Sequence, residues 1–271
     1  MRILRYDGRF ESLLTLLPQW ERGERIIPDG GGPVAFLGVM ERRVEANPIE
    51  AAETTRTLRE RGGETLFRLL RYAFFSELPG REEALGEFYQ AVLRFGREAD
   101  RHYELPGVVK TVEMAKRTGR DVHRWKGFLR FRLLGDGVFY APFEPDHNVL
   151  PFLTAHFRKR LGDQEWMVHD LKRSIAALCR EGRVGYARVE APGWLLRSPS
   201  LRDAPDGFYA EEEERFQDLW KGFFRSIAIE SRKNLKLQRQ FMPKKYQKYL
   251  LEKEELPGAS LAKGLKRGFE G

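Results

Sequence analysis

Residues 127–141 decide the fold class, and they read Gly127-Phe128-Leu129-Arg130-Phe131-Arg132-Leu133-Leu134-Gly135-Asp136-Gly137-Val138-Phe139-Tyr140-Ala141. Apolar and basic side chains alternate in the first half, a Gly-Asp-Gly turn follows, and strand-forming side chains return in the second half. This pattern predicts a β-hairpin.

The residues after this hairpin extend the sheet. Asn148 suits the cap of a helix over 149–161, and residues 165–169 read as another strand. Residues 174–180 and 184–189 are joined by Glu181-Gly182-Arg183 and predict a second hairpin. The central third therefore predicts an antiparallel sheet covered by a helix.

The residues before the hairpin are mainly helical in pattern. Strands are predicted at 2–6 and 34–44, with a helix at 8–21 between them. From residue 48 the apolar period is helical, and breaks at Gly62-Gly63 and Pro79-Gly80 predict helices over 48–61, 64–77, 82–95 and 106–124.

The C-terminal part begins with an irregular connector at 194–209. Four glutamates at 211–214 then open a long helix, since acidic residues in a first turn oppose the helix dipole. We expect an α+β protein with a helical N-terminal portion, a central antiparallel sheet with covering helices, and a basic C-terminal helical arm. The expected portions are 1–125 (mainly helical), 126–192 (sheet with one helix), 193–251 (connector and basic arm packed on the rest) and 252–271 (flexible tail).

Cysteine usage and hydropathy limit the chemistry and the compartment. Cys179 is the only cysteine, so this chain alone cannot form a disulfide, a thiolate-pair zinc site or an iron–sulfur cluster. We expect no cofactor. The first residues lack the apolar stretch of a secretory signal, and no uncharged run approaches the roughly 20 residues of a membrane helix. These features predict a cytoplasmic protein with no membrane partner.

Charge is unevenly distributed along the chain. The net charge is +8, and residues 221–271 carry all of it, with 13 basic and 5 acidic side chains. The first 220 residues balance 35 basic against 35 acidic side chains. Such asymmetry indicates a polyanionic partner.

The basic arm, residues 231–249, holds the strongest candidate site. Seven basic and no acidic side chains lie between Glu230 and Glu252, together with amides and aromatic rings that suit phosphates, base edges and stacking. A solvated helix packed through Leu235, Leu237 and Phe241, or an acidic protein partner, would also explain this composition. The residues predicted to contact nucleic acid are Arg225, Arg232, Lys233, Gln238, Arg239, Lys244, Lys245 and Tyr246.

A second basic cluster occupies residues 123–132. On a strand, Arg130 and Arg132 would share one face, which either extends a basic groove or is simply left in solvent. We add Arg124 and Arg130 to the predicted nucleic-acid contacts, with His123 beside them.

Carboxylates and imidazoles form a third, alternative set. Side chains of these types near strand and helix ends suit acid–base chemistry or metal binding. Their spacing matches no His-Glu-x-x-His or His-x-x-Glu-His pattern, and turn, cap and structural hydrogen-bonding roles also fit. The alternative catalytic residues are His123, Glu144, Asp146, His147, His156 and Asp170, and no metal ligands are assigned.

The chain resembles a bacterial family described as DNA metabolism proteins, whose biochemical activity is not established. The resemblance runs from Tyr6-Asp7-Gly8 to about Leu250 and is most specific near the C-terminus. Its residues are Val122-His123-Arg124, Gly127 to Phe131, Tyr140-Ala141-Pro142, Glu144-Pro145-Asp146, Leu150-Pro151, His156-Phe157, Arg160, Trp166, Asp170, and Arg225 to Glu230 leading into Leu237 to Tyr246.

This resemblance implies a place in DNA metabolism. The family is linked to a radical-SAM protein of DNA repair or modification, and some members are fused to a uracil-DNA-glycosylase-like domain. This chain has no Cys-x3-Cys-x2-Cys and no such fused domain. We therefore expect a non-catalytic accessory that binds nucleic acid, DNA more than RNA, and acts with a radical-SAM partner. There are two rival hypotheses. One is a nucleic-acid-processing enzyme that uses the alternative catalytic residues, and the other is a scaffold that binds an acidic protein partner.

Overall fold

A computed structural model describes residues 2–30, 40–197, 204–227, 229, 231 and 234–251. The chain forms two compact units, Met1–Val122 with Asp146–Val149, and His123–Pro145 with Leu150–Gly271. Helices and two separate sheets make the protein α+β, as predicted. The predicted tail at 252–271 lies outside the described residues.

The first unit opens with a small parallel sheet. Strand β1 (Arg2–Tyr6) and helix α1 (Phe10–Leu16) are followed by β2 (Arg25–Pro28) and β3 (Met40–Arg43), in the order β2-β1-β3. Both neighbours run parallel to β1. The predicted strand at 34–44 is confirmed over 40–43, and its first part lies outside the described residues. Strand β2 was not predicted, because four residues give too short a pattern to recognise.

Long helices complete this unit. They are α2 (Pro48–Phe74), α3 (Arg81–Phe95) and α4 (Pro106–Phe128), with a 3-10 segment at Gly96–Arg101 before α4. The last turns of α4, from His123, belong to the second unit. Asn47 caps α2 by accepting hydrogen bonds from the N–H groups of Ile49 and Glu50. The predicted break at Gly62-Gly63 is a kink inside α2, where Gly63 has a φ of 74°. The apolar faces of the helices form the core with α1 and β1, as their period predicted.

The second unit is built on a five-stranded sheet. Its strands are β4 (Arg132–Leu133), β5 (Phe139–Phe143), β6 (Trp166–Asp170), β7 (Ile175–Arg180) and β8 (Arg183–Arg188), adjacent in that order, with helix α5 (Leu150–Leu161) between β5 and β6. Both predicted hairpins are present. The sheet is mixed rather than wholly antiparallel, because the α5 crossover makes β5 and β6 parallel.

Within the described residues, four helices follow the sheet. They are α6 (Gly193–Arg197), α7 (Glu211–Ile227), α8 (Leu235–Phe241) and α9 (Lys244–Gln247). The chain enters α7 along the edge of β4, where the Ala210 N–H donates to the Leu133 carbonyl at 3.0 Å. The long helix predicted from Glu211 is therefore held at the sheet edge.

Candidate functional site

The end of the basic arm is anchored in the core of the second unit by Tyr246. This residue is fully buried, and its ring centroid lies 4.8 Å from that of Trp125 and 5.3 Å from that of Phe128. Tyr249 and the two leucines after it are buried as well. Tyr246 therefore fixes α9 against α4 and cannot offer its ring to a base.

Basic side chains from two distant parts of the sequence meet on the Tyr246 ring. The guanidinium carbon of Arg124 lies 5.6 Å from the ring centroid, and Lys245 Nζ lies 4.8 Å from it. Both are cation–π distances. The structure thus brings together the predicted 123–132 cluster and the predicted basic arm at this point.

Two further cations come from the same two predicted segments. Lys244 is exposed at the start of α9, and Arg130 follows the end of α4, where its Nη1 donates to the Gly127 carbonyl at 2.8 Å. The guanidinium of Arg130 also lies 5.5 Å from the Trp220 ring centroid. We name Arg124, Arg130, Lys244 and Lys245 the basic surface.

The strand predicted for Arg130 and Arg132 is wrong in its extent. Helix α4 continues to Phe128 and β4 contains only Arg132 and Leu133, so Arg130 is not on a strand. Arg132 is buried. The two arginines therefore share no solvent face, and only Arg130 joins the basic surface.

The remaining predicted contacts are not brought to the basic surface by any described interaction. Arg225 is exposed on α7, and Gln238 is half-buried on α8. Arg232 and Lys233 lie outside the described residues, and only the backbone of Arg239 is described.

One lysine of the arm is paired with a carboxylate of the body. Lys248 Nζ lies 3.0 Å from Glu144 Oε2 and donates to the Leu196 carbonyl at 3.2 Å, which gives it a structural role. No described carboxylate forms an ion pair with Arg124 or Lys244. Their positive charge therefore remains accessible to a polyanion.

In the first unit, the alternative catalytic residues make structural contacts. His147 is buried, and its Nδ1 accepts from the Glu77 N–H at 3.2 Å. Asp121 Oδ2 accepts from the N–H groups of Asp146 and His147, at 3.1 and 3.2 Å. These bonds hold the 146–149 segment in its turn.

In the second unit, the carboxylates of this set are also engaged. Asp170 is buried, and Arg173 Nη1 donates to its Oδ2 at 2.8 Å. Burial raises the pKa of Asp170, against the lowering effect of Arg173. Glu144 is paired with Lys248, as described above.

The two histidines of the set in this unit stand in different surroundings. His123 is exposed on α4. Burial, together with the charges of Lys126 and Arg160, lowers the pKa of His156. A positive environment suits an anion better than a metal cation. Across the described residues, no group of three or more His, Cys, Asp or Glu side chains is placed to hold a metal ion.

Sequence reasoning missed the contact between Arg130 and Trp220. The two residues lie 90 positions apart, and neither has a local pattern that would pair them.

Searching the described residues finds no helix long and apolar enough to cross a membrane.

Comparison with known proteins places most of the second unit and part of the first in one family. The family model of a domain of unknown function, DUF4130, matches residues 79–252, which is well over half of the 271 residues. No curated protein and no solved structure matches the chain. The chain belongs to the DUF4130 family.

Proposed function

We propose that this protein is a nucleic-acid-binding accessory in DNA repair or modification that acts with a radical-SAM partner. The observation that carries the nucleic-acid part is the meeting of Arg124 and Lys245 on the Tyr246 ring. This ring contacts one cation from each of two separate segments, and Lys244 directly precedes Lys245 in the chain. Pre-positioned cations lose little side-chain entropy when they bind phosphates.

An accessory role fits the contacts of the alternative catalytic residues better than catalysis does. A general acid or base needs a side chain that can reach a substrate proton. His147 and Asp170 are buried, and their polar atoms are occupied by Glu77 and Arg173. The only cysteine, Cys179, is buried in β7 and cannot bind an iron–sulfur cluster of its own.

The link to DNA metabolism and to a radical-SAM partner rests on the resemblance of the sequence. The most specific part of that resemblance, Leu237 to Tyr246, includes α9 and the two lysines of the basic surface. The segment with the most specific resemblance therefore also carries the exposed positive charges of Lys244 and Lys245.

Charge reversal at the basic surface tests nucleic-acid binding. We expect Lys244→Glu/Lys245→Glu to weaken binding to labelled single- and double-stranded DNA by at least about tenfold at moderate salt, because phosphate contacts supply most of such affinity. Fluorescence anisotropy measures the dissociation constants.

The matched control is Arg56→Glu/Arg68→Glu, which changes the net charge equally. Both arginines are exposed on α2, in the other unit. Equal weakening by the two double variants would mean that only net charge matters, and unchanged affinity in Lys244→Glu/Lys245→Glu would refute the proposed surface.

Affinity purification tests the partner. The tagged full chain, co-expressed with the radical-SAM protein, should retain it after exhaustive nuclease treatment. Failure to retain it both with and without an added DNA oligonucleotide would remove the partner from the proposal while leaving DNA binding intact.

A further inference from the structure

Helix α7 buries polar side chains and exposes apolar ones, the reverse of an ordinary surface helix. Glu213 is only 5% exposed, and its two carboxylate oxygens accept from the Leu133 N–H and from Gln217 Nε2, both at 2.8 Å. Gln217 is buried too. The helix is thus attached to the sheet edge through hydrogen bonds rather than through its apolar residues.

The exposed apolar residues of α7 form one continuous stripe. They follow helical spacing over three turns, with exposed fractions from 38% for Trp220 to 60% for Leu219, and they are Phe216, Leu219, Trp220, Phe223 and Ile227. Isolated apolar residues on a surface are ordinary, but a row of five large ones marks an interaction site.

We propose that the α7 stripe binds the same stripe of a second copy of this chain, as an antiparallel helix pair. Aromatic and large aliphatic side chains bury about 150–250 Å² each, so the exposed half of five amounts to about 500 Å² per copy. A pair would bury about 1,000 Å², which reaches the lower bound for a specific interface.

Helix α7 favours an antiparallel pairing with a second copy. This orientation opposes the two helix dipoles.

The stripe itself has the symmetry that such a pair requires. With a twofold axis between residues 221 and 222, Phe216 faces Ile227 of the other copy, and Trp220 faces Phe223. Four of the five stripe residues then meet a stripe residue of the other copy, and Leu219 faces Phe224, which gives the self-complementarity of an isologous interface. This inference does not depend on the proposed function.

The mass of the nuclease-treated full chain in solution tests this proposal. Light scattering and sedimentation over a concentration series should give a dimer, and Phe223→Glu should raise its dissociation constant by at least about 30-fold, since it places a charge in the centre of the interface. Phe241→Glu is the matched control, because Phe241 is equally exposed but lies on α8. A monomer at every concentration, or a dimer unchanged by Phe223→Glu, would overturn the proposal.

Discussion

At the scale of single residues, His169 in β6 has both ring nitrogens occupied. Nε2 lies 2.9 Å from the Val189 carbonyl, and Nδ1 lies 2.8 Å from the Tyr140 hydroxyl. A carbonyl can only accept, so Nε2 carries a proton. Burial lowers the pKa of His169 and thereby favours the neutral ring, in which Nδ1 accepts from the Tyr140 hydroxyl.

Acid should weaken the fold through this histidine. Burial lowers the pKa of His169 below its ordinary value of 6.5, against the raising effects of Val189, Asp170 and Glu190. The unfolded chain then binds more protons than the folded one below about pH 6.5. The stabilisation is complete above this pH and is lost as the pH falls, by at most about 1.4 kcal/mol per pH unit for one histidine.

Urea unfolding at a series of pH values between 7.5 and 5.5 measures this effect, and His169→Gln should flatten the profile. The lowered pKa of His156 acts in the same direction and the raised pKa of Asp170 in the opposite one, so His156→Gln serves as the comparison. A wild-type profile that is flat or rises toward acid would contradict the assigned neutral state.

At the candidate site, the sequence indicated the exposure of the lysines but not the burial of their aromatic neighbour. Lys244 and Lys245 are exposed, as expected for charged side chains, whereas Arg124 is half-buried. Tyr246 has the same local surroundings in sequence, yet its ring is buried against Trp125. Burial of an aromatic residue depends on what the fold brings to it from 121 positions away, which no local pattern contains.

At the scale of elements, one carboxylate joins α7 itself to β4. Glu213 Oε2 accepts the Leu133 N–H at 2.8 Å, beside the bond from Ala210 to the Leu133 carbonyl. The residues before α7 add a bond from the Gly135 N–H to the Phe208 carbonyl and a bridge between Leu134 and Tyr209. Glu213 therefore links the start of α7 to the sheet in a way that the exposed apolar stripe cannot.

Glu213→Ala should destabilise the second unit by about 1–3 kcal/mol, because it removes the acceptor of the part-buried Leu133 N–H and of the buried Gln217 side chain. Glu213→Gln keeps an acceptor oxygen and should cost less. Denaturant unfolding measures both variants, and hydrogen exchange should show faster exchange of the Leu133 amide in Glu213→Ala. Equal stability of Glu213→Ala and wild type would show that α7 is held by other contacts.

Elements that depend on neighbouring residues were predicted correctly. The pairing of strands that are distant in the sequence was not. The hairpin of β7 and β8 and the kink at Gly63 follow from turn residues and glycine, which act on their own neighbours. The parallel pairing of β5 with β6 depends on how the chain returns through α5. The α7 stripe has the period of a core face, and only the buried Glu213 reveals that it faces outward.

At the scale of the whole molecule, net charge and local charge make different predictions about binding. The chain carries +8, but attraction to a polyanion at close range depends on the few cations that contact phosphates. The four residues of the basic surface would contact about four phosphates. Binding to double-stranded DNA should then have a log–log salt slope of about −4.

Lys244→Glu/Lys245→Glu should reduce this salt slope to about −2, because two phosphate contacts are lost. Arg56→Glu/Arg68→Glu should keep it near −4, although both variants have the same net charge. Anisotropy titrations at four or more salt concentrations give the slopes. If the two double variants change the salt slope equally, the electrostatic field of the whole molecule rather than the basic surface drives binding. A wild-type slope near zero would instead show that phosphates are not the ligand of Arg124, Lys244 and Lys245.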